Sequence, residues 1–65
     1  MLDIFRREHR GGVVWMGTAN DEESAIVIVR KLHTLSPRRY FTFDHSTRTR
    51  HTIKPEELEE ANSGE

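Results

Sequence analysis

The stretch Tyr40-Phe41-Thr42-Phe43-Asp44 decides the fold of this 65-residue chain, because it has the clearest strand pattern in the sequence. In an extended chain, Phe41 and Phe43 fall on one side and Tyr40 and Thr42 fall on the other. We therefore predict a strand here, with the two phenylalanines facing the core and with Tyr40 and Thr42 facing outwards.

A second strand is expected directly after the first. His45-Ser46-Thr47 is polar and typical of a turn, and the threonine-rich segment from Arg48 to Ile53 has the composition of a hairpin partner. Lys54-Pro55 ends this strand, because proline has no N–H to donate to a sheet. Residues 55–65 hold five glutamates, and we expect them to form an acidic C-terminal tail that is partly disordered.

An amphipathic helix is predicted before the aromatic strand. Asn20 and Glu23 have the spacing of a helix N-cap and its reciprocal acidic partner. Apolar residues then recur at helical spacing and form one stripe: Ala25, Ile28, Val29, Leu32 and Leu35. The β-branched run from Ile26 to Val29 favours a strand on its own, but periodicity and capping favour a helix that ends at Ser36-Pro37.

A first hairpin is predicted at the other end of the chain. The segment from Leu2 to Glu8 has a weak alternating pattern, and Val13-Val14-Trp15-Met16 is β-branched and aromatic. Gly11-Gly12 between them can adopt the positive φ angles of a tight reversal. Gly17 is expected to end the second strand.

These elements give the order β-β-α-β-β. The economical architecture is an α+β fold, in which one small antiparallel sheet carries a single helix on one face. Residues 1–54 form the single domain in this interpretation. Its predicted core contains Leu2, Ile4, Phe41, Phe43, Ile53 and the helical stripe, and its open face carries Tyr40, Thr42, Arg48, Arg50 and Thr52.

Part of the chain resembles a set of short uncharacterised bacterial proteins. The shared features are Val14-Trp15-Met16-Gly17, then Glu23-Ser24-Ala25, then the segment from Pro37 to Asp44, in that order. The resemblance spans roughly residues 13–53 and departs at Thr47-Arg48, where a turn glycine would be expected. It implies a shared small α+β fold and a bacterial source, and it implies no activity.

Length and composition limit the possible functions. A chain this short buries only about 60% of the surface that it exposes when unfolded, and it has no cysteine for disulfides. No apolar run approaches the roughly 20 residues of a membrane span, and the first residues lack the pattern of a secretory signal. We expect a cytoplasmic protein with no membrane partner.

Catalysis is not expected. Four histidines are present, but no spacing resembles a known zinc motif, and Asp44-His45-Ser46 is a run of adjacent residues whose side chains diverge. One helix on one sheet also leaves little room for a cleft. We predict a protein that is not an enzyme, with no metal, no cofactor and no evident small-molecule substrate.

Binding to a macromolecule is the expected activity, and two alternatives remain open. Residues 28–54 hold seven lysines and arginines against one aspartate, although the overall pI is near 6.4 and the net charge is -1. A basic and aromatic set could bind nucleic acid through phosphate contacts and base stacking: Arg38, Arg39, Tyr40, Arg48, Arg50 and Trp15. A pI this low is unusual for a dedicated nucleic-acid-binding domain.

The favoured alternative is a protein-interaction module or a homodimer. Ile26 and Val27 lie partly outside the helical stripe and predict a contact with another chain. Val13 and Trp15 add further apolar surface, and a short open sheet leaves strand edges exposed. Burial of these groups between two copies would also stabilise a chain with a small core.

Overall fold

Two antiparallel hairpins flank one long helix. The computed structural model describes residues 1–58. Its elements are β1 (Leu2–Arg7), β2 (Val13–Ala19), α1 (Glu22–Leu35), β3 (Tyr40–Asp44), β4 (Thr49–Ile53) and α2 (Pro55–Leu58). The predicted order β-β-α-β-β and the α+β class are confirmed.

The four strands form one antiparallel sheet in the order β2-β1-β3-β4. Strand β1 pairs with β2 through the first hairpin and with β3 on its other side, where Leu2 lies opposite Asp44. The two central strands are therefore far apart in sequence. β2 and β4 form the two edges of the sheet.

The α1 helix is capped one residue later than the sequence predicted. Asp21 is the N-cap, and its Oδ1 accepts a hydrogen bond of 2.8 Å from the backbone N–H of Ser24. The prediction of Asn20 with Glu23 was wrong by one position, because Asp21 has the same capping chemistry as Asn20. At the other end, Ser36 N donates to the Leu32 carbonyl at 2.8 Å.

The core lies between α1 and one face of the sheet. Its buried members are Leu2, Ile4, Ala19, Ala25, Val29, Tyr40 and Ile53. Partly buried apolar side chains pack around them: Met16, Ile26, Ile28, Leu32 and Leu58. Leu35, which the helical stripe placed in the core, is 85% exposed, because it lies in the last turn of the helix.

The two faces of β3 are the reverse of those predicted. Tyr40 and Thr42 are each 1% exposed and face the helix. The Tyr40 hydroxyl donates to the Ser36 carbonyl at 2.8 Å, and Thr42 Oγ1 donates to Glu22 Oε2 at 2.8 Å. These bonds satisfy the buried hydroxyls, so the polar atoms do not oppose burial. Phe41 and Phe43 consequently lie on the face away from α1.

Strand β2 does not stop at Gly17, as the sequence predicted, but continues through a bulge. Ile4 pairs with Gly17 and the next residue, Phe5, pairs with Trp15, so that Met16 has no partner on β1. Gly17 has a φ of +151, a backbone conformation that residues other than glycine rarely adopt. The extra residue sends Met16 to the helix side and Trp15 to the open face, which simple alternation would not do.

The segment after β4 packs against the domain. Arg30 Nε donates to the Leu58 carbonyl at 2.9 Å, and Glu57 Oε1 accepts 2.8 Å from the backbone N–H of Lys54. The predicted tail of residues 55–65 therefore starts with the short helix α2. Residues 59–65 lie outside the described part of the chain, so the expectation of disorder there stays a prediction.

Among the described helices, none has the length and hydropathy of a membrane span.

Candidate functional site

The face of the sheet opposite α1 carries a row of aromatic rings. Phe5 and Phe41 are direct partners across β1 and β3, and their rings stack with centroids 5.2 Å apart and planes 17° apart. Phe43 lies on the same face, two residues along β3. The bulge adds Trp15 opposite Phe5. We call this surface, defined by Phe5, Trp15, Phe41 and Phe43, the open face.

Two arginines cover the centre of the open face. The guanidinium carbons of Arg7 and Arg50 lie 5.1 and 5.3 Å from the centroid of the Phe41 ring. Both distances lie within the range of a cation–π contact. Phe41 is only 6% exposed although neither α1 nor α2 covers this face in the described part of the chain. The arginine stems and the Phe5 ring therefore shield this side of the sheet from solvent, as α1 shields the other side.

One end of the open face is organised around Asp3. Its Oδ1 accepts a hydrogen bond of 3.2 Å from Trp15 Nε1, and its Oδ2 contacts His45 Nε2. The His45 ring also meets Phe43 edge-on, with centroids 4.9 Å apart. The hydrogen bonds from His45 and then Trp15 hold the pKa of Asp3 below its ordinary value of 3.8. These contacts fix the indole and the imidazole at the rim of the aromatic row.

The structure brings only part of the predicted binding set together. Arg50 and Trp15 lie on the open face, whereas Arg48 lies in the β3–β4 turn with φ 58. Tyr40 is buried under α1. Arg38 and Arg39 precede β3 and line a cleft at the end of the sheet.

Sequence reasoning placed Phe41 and Phe43 in the core and did not include Phe5 or Arg7 in the predicted binding set, although all four lie on the side of the sheet away from α1. A signal for two of them was present, since Phe5 and Arg7 share the alternation of Asp3, opposite to Leu2 and Ile4.

Of the two residues predicted for self-association, only one is exposed. Ile26 is partly buried and packs against the core, whereas Val27 is 46% exposed. More apolar surface lies on the β2 edge, where Val13, Val14 and Trp15 are 50%, 39% and 59% exposed. No charged residue occurs in β2. The β2 edge therefore exposes more apolar side chains than the helix surface around Val27 does.

The cleft at the end of the sheet is larger than the sequence predicted. It has a volume of about 530 Å³ and lies where β1 and β4 end, where β3 begins and where α1 and α2 approach the sheet. Its cationic lining is Arg7, Arg38, Arg39 and Lys54, and its apolar lining includes Pro37, Ile53, Pro55 and Leu58. The expectation that one helix on one sheet leaves little room for a cleft was wrong, because α2 and the α1–β3 connection build additional walls.

The Asp44-His45-Ser46 run is not arranged as a catalytic relay. Asp44 Oδ1 accepts 2.9 Å from the backbone N–H of Ser46, which is a local turn contact, and His45 is directed to Asp3 on another strand. Within residues 1–58, no three histidine or acidic side chains are grouped so that they could hold a metal ion.

Comparison with known proteins adds no assignment. No protein-family model matches the chain, and no curated protein or solved structure matches it significantly. The resemblance to short bacterial proteins therefore stays a prediction.

Proposed function

We propose that this protein is a non-catalytic, self-associating interaction module in which β2 of one copy pairs with β2 of a second copy. The observation that supports this most directly is the β2 edge, where Val13, Val14 and Trp15 are all exposed. Proteins that remain monomeric usually protect such an edge with charges, prolines, a β-bulge or a covering segment. None of the seven residues of β2 is charged or a proline, and the bulge at Met16 lies after the exposed segment Val13-Val14-Trp15 that we propose to pair.

The opposite edge of the sheet provides an internal comparison. Strand β4 exposes Thr49, Arg50, His51 and Thr52, and only Ile53 is buried. Polar and charged side chains of this kind discourage edge-to-edge pairing. The difference between the two edges indicates that pairing is favoured at β2 and disfavoured at β4, which gives a closed dimer and not an open fibre.

Antiparallel pairing of β2 with its copy fits a twofold axis. The same segment then supplies both sides of the interface, and the two four-stranded sheets join into one of eight strands. The unpaired backbone groups of β2 gain partners. Val13 and Trp15 meet residues of the second copy on the open face, and Val14 does so on the helix side. Because each copy is small and has a limited core, this burial adds to a marginal stability.

The test is the molar mass in solution by light scattering behind a sizing column, at about 0.1 and 0.5 M salt. We expect a dimer at both salt concentrations, because the contact is apolar and made by backbone groups. Val14→Lys places a charge on the β2 edge and should give a monomer. Val27→Lys places the same charge on exposed helix surface and should leave the dimer intact.

The matched pair also decides between two interfaces. If V27K dissociates the dimer and V14K does not, the helix surface of Val27 is the interface and the β2 proposal is overturned. A wild-type monomer at high protein concentration would overturn self-association altogether. Circular dichroism of both variants controls for folding, and both substituted positions are exposed in the monomer.

Binding of single-stranded nucleic acid on the open face is the second candidate. The specific observation is that Arg7 and Arg50 lie over the Phe41 ring while Trp15 remains 59% exposed beside them. Stacking of bases on aromatic rings and guanidinium planes, together with phosphate contacts, is the common mode of single-strand binding. A four-stranded sheet with aromatic residues on its central strands is one such platform.

This candidate is tested with a labelled single-stranded oligonucleotide, using fluorescence anisotropy at low and high salt. Arg50→Glu should weaken binding at least tenfold, whereas Lys31→Glu, the same charge change on exposed helix surface, should have a much smaller effect. Equal losses in the two variants would mean that attraction is only through net charge, and the open face would lose its role.

A further inference from the structure

We propose that the basic cleft at the end of the sheet binds a phosphate monoester carried on an organic group of nucleotide size. The four cations Arg7, Arg38, Arg39 and Lys54 line it together with His9 and His33. This inference is independent of self-association through β2, because the ligand is bound by cleft residues of a single copy.

The charge of the lining favours an anion. Glu8 is the only acidic residue among those that line the cleft in the described chain, and its Oε2 is engaged by Arg6 Nε at 2.6 Å. Within residues 1–58, no ion pair joins Arg38, Arg39 or Lys54 to a carboxylate. Cations that are brought together without acidic partners repel one another, and a dianionic phosphate relieves that repulsion.

Two features of the cleft oppose an anion, and both are limited. The C-terminal end of α1 carries a partial negative charge, but this effect is confined to the last turn, where Ser36 N and the Tyr40 hydroxyl already bond to carbonyls. Glu57 is close to Lys54, but its carboxylate accepts from the Lys54 backbone N–H and from His51. The four lining cations, of which Arg7 also contacts the Phe41 ring, outnumber these groups.

The size and the apolar wall set the class of ligand. A volume of about 530 Å³ is much larger than a phosphate ion needs and lies within the usual range for small-molecule sites. Ile53, Leu58 and two prolines supply apolar surface beside the cations. A ligand with a phosphate at one end and a ring system at the other matches this division.

The cationic positions are held by the backbone. Arg7 N donates to the Arg39 carbonyl at 2.8 Å, which ties the end of β1 to the residue before β3. Glu8 N donates to the Gly12 carbonyl at 2.8 Å, which closes the adjoining hairpin. Arg7 is further positioned by its contact with the Phe41 ring. The backbone at Arg7 and Arg39 is therefore fixed before a ligand binds, so it loses little conformational entropy on binding.

The test is a titration of the full chain followed by amide chemical shifts, with adenosine 5′-monophosphate, adenosine and inorganic phosphate as probes. We expect the monophosphate to shift residues around Ile53, Lys54 and Leu58, inorganic phosphate to bind there more weakly, and adenosine to bind at least tenfold more weakly than the monophosphate. Equal binding of adenosine and its monophosphate would overturn the proposal, as would shifts confined to Trp15 and the open face.

Variants distinguish specific binding in the cleft from nonspecific electrostatic attraction to the protein. R38Q and K54M, tested singly, should each weaken the monophosphate at least threefold, and K31E should leave it unchanged. Equal weakening by K31E would overturn the proposal. Peak dispersion verifies folding, and light scattering of R38Q and K54M shows whether the dimer is retained.

The source of the phosphate is decided by a second pair of probes, a short oligonucleotide with and without a 5′-phosphate. A preference for the phosphorylated strand over the free nucleotide identifies the end of a nucleic acid as the ligand. Tighter binding of the free nucleotide identifies a small metabolite. Failure of both to bind in the cleft overturns the inference and leaves the β2 dimer unaffected.

Discussion

Trp15 donates a hydrogen bond of 3.2 Å from its Nε1 to Oδ1 of Asp3, although the residue paired with Asp3 across the hairpin is Thr18. The indole therefore reaches along β1 past its own partner, Phe5. The bulge at Met16 makes this possible, since it places Trp15 and Asp3 on the same face.

Acidification should release the indole. The pKa of Asp3 is lowered in the fold by its bonds with His45 and Trp15. A carboxylate with a lowered pKa stabilises the fold above its unfolded pKa, and this contribution disappears as the pH falls through the folded pKa. We expect the fluorescence of the single tryptophan to change only below about pH 4. Asp3→Asn should abolish that transition; an unchanged transition in D3N would assign it to other carboxylates.

Gly17 should tolerate no side chain. Its φ of +151 forces strain on any residue with a Cβ, and we expect Gly17→Ala to lower the free energy of unfolding by about 1–3 kcal/mol. Gly12→Ala is the control, because Gly12 does not have such a φ and a Cβ there meets open space. Urea unfolding measures both. Equal effects of the two substitutions would contradict the strained geometry of the bulge.

Arg48 is the counterpart of Gly17 in the second hairpin, a side chain held where glycine is preferred. With φ 58, it occupies the left-handed region that costs an L-residue roughly 1–2 kcal/mol. Arg48→Gly removes this cost and adds some unfolded-state entropy, so we expect a net gain of about 1 kcal/mol in stability. Thr47→Gly should not stabilise, because Thr47 has no positive φ. A loss of stability in R48G would show that the arginine side chain stabilises the turn.

The helix cap can be located by substitution. Asp21→Ala removes the bond to Ser24 and should lower the melting temperature by about 5 °C. Asn20→Ala, one position earlier, should have little effect. The opposite ranking would restore Asn20 as the cap that the sequence predicted.

Tyr40→Phe distinguishes the two possible faces of β3. In the structure it leaves the Ser36 carbonyl without its partner, and we expect a loss of about 1 kcal/mol in the free energy of unfolding. If Tyr40 lay on the open face, the substitution would be neutral. Denaturant unfolding measured alongside Phe43→Tyr, on the exposed side, provides the comparison.

Sequence reasoning was sufficient for the elements and not for their orientation. Alternation shows which residues of β3 share a face, but it does not show which face meets the helix. Phe41 and Phe43 are more apolar than Tyr40 and Thr42, so hydrophobicity favoured the wrong face. The decisive facts are nonlocal: the hydroxyl bonds to Ser36 and Glu22, and the arginines that cover Phe41.

The candidate site was predictable in chemistry and not in layout. The sequence identifies arginines, aromatic residues and uncharged strand segments, since these are composition. It cannot place Trp15, because one extra residue in β2 changes the face of every residue before it. Nor can it show that Arg38, Arg39 and Lys54 line one cleft, since the end of β4 comes beside the start of β3 only when the two strands pair.

The sheet order also constrains when the chain can fold. Strand β1 is central, and its second neighbour begins 38 residues after it, as Leu2 and Tyr40 open the two strands. During synthesis the first hairpin can form early, but its inner edge stays open until α1 and β3 have emerged. Closing so long a loop is entropically slow, and it leaves an unpaired strand exposed to other nascent chains. The sheet of this protein should therefore form late, when β3 has been synthesised and pairs with β1.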